Sequence, residues 1–325
     1  MEWFAARGVA LKTEADGRVF PVTDDSATIV DCLQGAARKA GVVVRTGTPI
    51  RTVQRSQRGF TVTLGDGSAS ACDRVLLATG GSRPSAGAAI AERLGHRVEP
   101  PVSSLFTFHV DDARIRGLEG LSAPAVLIRV AGTSLAATGP LLVTHHGMSG
   151  PAVLKLSSWA ARELAGKDYR FTVTVNWAGG RAVDDVAGLL AGARESNPRR
   201  QIRTWNPVGL PGRLWERLTE AARIDPATVW TSVSNAALKA LSVELTAGEF
   251  AVAGKTMNKE EFVTCGGVKL AEVDFRTMES RICPGLHFAG EVLDIDGLTG
   301  GFNFQAAWTT GWLAGRAMAQ ADATI

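Results

Sequence analysis

The sequence has few cysteines and pairs none of them. Cys32, Cys72, Cys265 and Cys283 are widely spaced and form no CxxC. Metal-ligand spacing is therefore absent, no metal is expected, and no disulfide framework can be drawn. Reduced thiols in a cytoplasmic protein are the expectation. No apolar run approaches the roughly 20 residues of a membrane helix, and no charged-then-apolar leader opens the chain, so a membrane partner is not expected. Charge of one sign is scarce as well. Lys plus Arg number 35 against 32 Asp plus Glu, a formal net charge of +3. The arginines are scattered among acids rather than gathered into a stripe, so nucleic acid is not expected as a partner.

What is present fits a globular α/β protein. Of 325 residues, 45% are hydrophobic and 36 are glycine, ample for one large core and smaller ones beside it. Gly17 to Pro21 reads as a short strand entering a turn. Thr28-Ile29-Val30-Asp31 resembles a capping box opening a helix through Lys39. Val42-Val43-Val44 reads as a short buried strand. Two β-patterned runs follow, Pro49 to Gln54 and Phe60 to Leu64, with a turn at Asp66-Gly67. Asp73 to Ala78 is a continuous apolar strand ending in Thr79-Gly80-Gly81, followed by a helix near Ala86 to Leu94.

From Pro100 to about Trp177 short strands dominate, interrupted by one helix that Pro151 opens. Ala182 to Leu241 is helical, and strands return after Leu241. The chain closes on a strand, Leu286 to Ala289, a Gly-rich loop, and a helix of roughly Phe302 to Met318. In that helix Ala307, Gly311 and Gly315 form a small-residue stripe for close packing. Trp308 and Trp312 share a face and read as core.

The last sixty residues carry the chemistry. Gly290-Glu291 closes a strand, Asp294 and Asp296 follow, and Gly300-Gly301 opens the long helix at Phe302 and Asn303. A helix N-terminus offers unpaired amides to a phosphate, and glycines let backbone approach a ligand closely. Acids just past a strand end accept hydrogen bonds from ribityl or ribose hydroxyls. The same residues also read as an acidic surface loop with a glycine cap.

Ala78-Thr79-Gly80-Gly81 resembles the second flavin-contacting fingerprint of glutathione-reductase-like FAD proteins. Gly285 to Glu291 resembles the late strand whose acid binds the ribityl chain in that class. With Gly17 to Pro21, Thr144 to Pro151, Cys265 to Val268 and Thr299 to Asn303, the chain resembles the HI0933-like family of bacterial flavoproteins. The resemblance implies an α/β fold with a Rossmann-like FAD-binding domain built from 1–101 and 262–325. It further implies a β-barrel-like insertion over 102–181 and 242–261, and a helical insertion over 182–241. Cofactor contacts are expected at Ile50 (along the adenine), Thr79, Gly80, Gly81, Gly290, Glu291, Asp294, Asp296, Gly300, Gly301, Phe302 and Asn303. His145 matches the family motif and is the candidate for a proton relay. Cys265 reads as an inert buried thiol.

Members of the family begin with a strand, a G-x-G-x-x-G turn and a helix. That sextet is absent here, and the chain opens at Glu2 to Ala5 as if inside a helix. The expectation is that a βαβ-type unit of about 30 residues lies outside the sequence. The expected function is a FAD-dependent oxidoreductase moving a hydride between flavin and a small organic substrate or NAD(P)H. A reductase for a carbon–carbon double bond and an amine oxidase both fit that frame. The alternative is a truncated or degenerate flavoprotein without activity, acting as a fragment or interaction module.

Overall fold

The apolar run after Asp73 becomes the strand Val75–Leu77, and the late run becomes Leu286–Phe288. The two lie parallel, with Val75 opposite Leu286 and Leu77 opposite Phe288. In this computed structural model, which describes residues 1–15, 17–81, 86–256, 263–299 and 301–320, they anchor a four-stranded sheet. It continues antiparallel through Glu279–Ser280 and Val273–Asp274. Leu77, Ile90, Met278, Leu286, Phe288 and Ala314 bury together beside it. A polar clasp is buried in the same unit. His96 Nδ1 meets Glu272 at 3.1 Å and its Nε2 meets the Ser280 hydroxyl at 2.8 Å. The Ser280 oxygen accepts from the N–H groups of Ile282 and Cys283.

The expected strands near the start form an antiparallel three-stranded sheet, Ile50–Ser56, Gly59–Leu64 and Ala69–Cys72. A larger sheet has seven antiparallel strands in the order Gly248–Val252, Phe171–Asn176, Ser122–Val130, Ala136–Thr144, Gly147–Ser149, Thr107–His109, Gly254–Thr256. Among the described residues no closed barrel is seen: the two outermost strands are sequence neighbours through Ala253, yet each pairs there only inward. The helix Pro151–Trp159 covers this sheet, with Pro151 in its first turn as expected. Helices Val183–Ser196, Gly212–Ala221 and Asn235–Ala247 pack into the same core around Trp215 and Trp230.

An antiparallel pair, Val263–Val268 with Val98–Ser104, joins these regions. Its irregularity falls at the Cys265-Gly266-Gly267 motif. A Cβ on Gly267, whose φ is +143°, would sit 2.6 Å from the Leu293 backbone. The glycine is required because two main chains touch there.

Four expectations fail locally. Val42, Val43 and Val44 are in no strand and are 55%, 79% and 71% exposed. No described strand lies beside them to pair their backbone. The helix Ala27–Lys39 forms without a capping box, and no side chain caps its N-cap residue Ser26. Asp25 instead accepts from the Ala27 N–H, and no residue of that helix is buried. Trp308 and Trp312 are 40% and 55% exposed rather than core. Trp308 stacks on the exposed ring of Phe304 and leans on Phe4. The packed face of Phe302–Gln320 runs instead through Thr310 and Ala314, while Gly311 and Gly315 face open space. Among the described residues no helix is long and apolar enough to cross a membrane.

Candidate flavin-binding site

The parallel strand ends of Val75–Leu77 and Leu286–Phe288 deliver their following residues to one place. A Cβ on Gly81 would lie 2.9 Å from the Thr264 side chain and 3.2 Å from Glu291 Oε2. The Thr264 hydroxyl donates to the Gly81 carbonyl. The expected glycine turn and the expected acid are thus neighbours, joined through a threonine that sequence reading did not single out. Thr79 sits against the helix Ala86–Arg93, where Gly87 leaves no room for a Cβ beside its hydroxyl. Gly290 donates its N–H to Thr310 of the last helix at 2.9 Å.

Asp294 and Asp296 join the same cluster. Ser104 donates to Asp296 at 2.7 Å, and Arg162 reaches Asp294 at 2.6 Å. Neither Ser104 nor Arg162 had a sequence signal, because each comes from a distant stretch of chain. Burial pushes the Glu291 carboxyl above its ordinary range, and the Asp296 charge adds to it. Asp294 is raised too, since burial, Glu99 and Asp296 together outweigh the Arg162 ion pair. Cys265 beside Asp296 is pushed up to about 12, first by burial and then by the acids around it. It is an inert thiol at neutral pH.

Residues present here fit the polyol end of a flavin. The Glu291 carboxylate is half-buried and accepts no hydrogen bond among the described residues. A buried acceptor without a donor calls for one from a ligand. Three acids in one place favour hydroxyls over phosphates. Donors for an anion must come from the last helix, whose N-terminus at Phe302 follows Gly301. Asn303 has its side chain occupied: Gly297 donates to its Oδ1 at 2.7 Å and accepts from its Nδ2 at 3.1 Å. Phe302 is exposed, and Gly300 lies outside the described residues.

Two expected residues lie elsewhere. Ile50 begins a strand of the three-stranded sheet and is exposed. His145 lines a cavity of about 160 Å³ with His109, His146 and Glu119, which shares no residue with the Gly81–Glu291 cluster. Among the described residues no group of His, Cys, Asp and Glu is arranged to hold a metal ion.

Comparison with known proteins identifies the family. The sequence model for the HI0933-like protein Rossmann domain matches residues 1–317. The ribosomal RNA dihydrouridine synthase of Escherichia coli (strain K12) is 34% identical over 316 residues, 94% of this chain and 75% of the relative. The 3-dehydro-bile acid delta(4,6)-reductase of Clostridium scindens is 30% identical over 339 residues, 98% of this chain and 80% of the relative. The ribosomal RNA dihydrouridine synthase of Haemophilus influenzae is 30% identical over 320 residues, 95% of this chain and 76% of the relative. Matched along nearly its whole length, the chain belongs to the HI0933-like family, whose Rossmann domain is of the flavin-binding type, and at family level it is a flavin-type oxidoreductase.

Proposed function

We propose that this protein is a FAD-dependent reductase that saturates a ring carbon–carbon double bond conjugated to a carbonyl, with NAD(P)H as electron donor. The observation that carries it is the half-buried Glu291 carboxylate, without a hydrogen-bond donor among the described residues, beside Gly81 at adjacent ends of two parallel strands. When bound, the flavin supplies the hydride chemistry. Glu291 holds ribityl hydroxyls, Thr264 fixes the Gly81 turn, and Asp296, tied to Ser104, completes the polar wall. The relatives' names support the reaction class. A dihydrouridine carries hydrogen across the uracil ring double bond, and a delta(4,6)-reductase removes ring unsaturation. Both bonds are conjugated to a carbonyl, so one chemistry serves both.

In this reading the FAD-binding domain comprises 1–101 and 262–325, and substrate enters between it and the inserted parts over 102–261, in the cytoplasm. A small unsaturated ring ketone is the substrate class in this reading. A uridine in ribosomal RNA is the second reading, favoured by two of the relatives though by no basic stripe in the sequence. The test mixes chain, FAD and NAD(P)H with each substrate class. Enone-dependent NAD(P)H oxidation supports the first reading. Turnover on ribosomal RNA alone, lost at high salt, replaces it by the second. Tight flavin binding without turnover on either class ends the reductase reading.

A further inference from the structure

Next to the proposed flavin site, on the side of the seven-stranded sheet, lies a polar group that the flavin contacts do not use. Ser103 is the register partner of Thr264, so it stands one strand away from the residue that holds Gly81. The Lys255 ammonium, from the strand Gly254–Thr256, donates to the buried Ser103 hydroxyl. The same ammonium lies 4.0 Å from the centre of the Tyr169 ring. The Ser103 N–H points at the Tyr169 oxygen at a long 3.4 Å. Phe106 packs edge-on against that ring at 5.2 Å.

The backbone holds this tyrosine in an uncommon conformation. Asp168 and Tyr169 are consecutive non-glycine residues at φ +51° and +56°. Left-handed backbone is costly for such residues and persists where its surroundings enforce it, often at functional sites. Tyr169 is half-buried, and its oxygen accepts from the Ser103 N–H and faces the Lys255 ammonium. Among the described residues its own O–H is therefore left to give. Burial pushes the pKa of the phenol up, but the Ser103 N–H and the Lys255 charge outweigh burial and leave it below the ordinary tyrosine range.

We propose that Tyr169 is the proton donor of the reduction and that Lys255 is its positioning residue, poised over an unsaturated ring carbonyl compound bound against the flavin. This rests on the reductase reading above. The substrate's β carbon takes a hydride from the reduced cofactor, and the π pair of the double bond moves to the α carbon. That carbon takes the proton from Tyr169 Oη. The phenolate left beside Lys255 regains a proton from water. One hydride and one proton are added, and the cofactor ends oxidised. The reducing equivalent is NAD(P)H or dithionite.

Tyr169 is the single tyrosine of the chain, so a near-ultraviolet phenolate titration of the full chain reads this residue alone, without any turnover. The expected midpoint lies below that of free tyrosine, about 10, and Lys255→Met moves it upward. Tyr169→Phe removes the transition and serves as the control. A midpoint at or above the free value, or one that Lys255→Met does not move, overturns the proposal. In the second arm, dithionite-reduced flavoprotein is mixed with a cyclic enone. Tyr169→Phe is expected to slow reoxidation by about 100-fold, the scale of general acid catalysis, with enone affinity unchanged. Reoxidation of the variant at the wild-type rate sinks the proton-donor role while the reductase reading stands. Wild-type protein that no enone reoxidises contradicts the reductase reading itself, whatever the titration gives, and the donor role falls with it.

Discussion

The Thr264 hydroxyl donates to the Gly81 carbonyl, fastening two segments 183 residues apart in sequence. Through that one bond the strand Val263–Val268 sets where the glycine turn stands against Glu291. Gly81 has no side chain because Thr264 and Glu291 already occupy its Cβ direction. The site is therefore a product of long-range packing, and loosening either partner should loosen both.

Thr264→Val keeps the shape of a fully buried side chain and removes only the donor. The Gly81 carbonyl loses its partner, which costs about 1–3 kcal/mol when such a group stays dry. Chemical denaturation of the chain should show that loss. FAD titration should show weaker binding in the same variant.

Glu291→Gln should act in opposite directions on stability and binding. The folded carboxyl has a raised pKa, so its fold-stabilising form is the neutral one. That contribution is present below the ordinary carboxyl range and is lost as pH rises through the raised folded value. Without flavin, the glutamine variant should thus melt higher than wild type at neutral pH and equal it in acid. With flavin, it should bind less tightly, because an amide accepts ribityl hydroxyls less well than a carboxylate. Melting curves at two pH values, with and without FAD, check both signs.

The His96 clasp sets an acid limit. Burial lowers the imidazole pKa below 6.5, although Glu272 pulls the other way. The unfolded chain therefore takes a proton at higher pH than the folded one. Stability is full above the ordinary histidine range and falls as pH drops through the folded value. His96→Ala should cost about 2–4 kcal/mol, through the cavity and the orphaned Glu272 and Ser280. It should also flatten the pH dependence of melting across that range.

Cys265 should resist alkylation. Its thiol is pushed up to about 12 and is buried, so little thiolate exists at neutral pH. Iodoacetamide labelling of native protein, read by mass spectrometry, should mark the partly exposed Cys32 well before Cys265.

Much of the architecture was legible in the sequence because it rests on local patterns. Apolar runs marked the two parallel strands, Pro151 marked a helix start, and Gly81 and Glu291, singled out separately in the sequence, lie side by side in the structure. What stayed hidden depends on partners. Val42 to Val44 have the composition of a buried strand, yet composition does not supply the neighbouring backbone a strand needs. Trp308 and Trp312 occupy a face of the last helix that packing left open, since the close contact runs through Thr310 and Ala314. Ser104, Arg162, Thr264 and Lys255 are ordinary residues in ordinary contexts. Only pairing across 130 residues or more brings Arg162 to Asp294, Ser104 to Asp296 and Lys255 to Ser103.

The most direct test of the account is the visible spectrum of the purified chain after incubation with FAD and desalting, compared with Glu291→Ala. The account predicts a flavin band in the wild-type protein, bleached by NAD(P)H, restored by a cyclic enone under anaerobic conditions, and weaker in the variant. A band of equal strength in both proteins contradicts the assignment of the Gly81–Glu291 cluster as the flavin site.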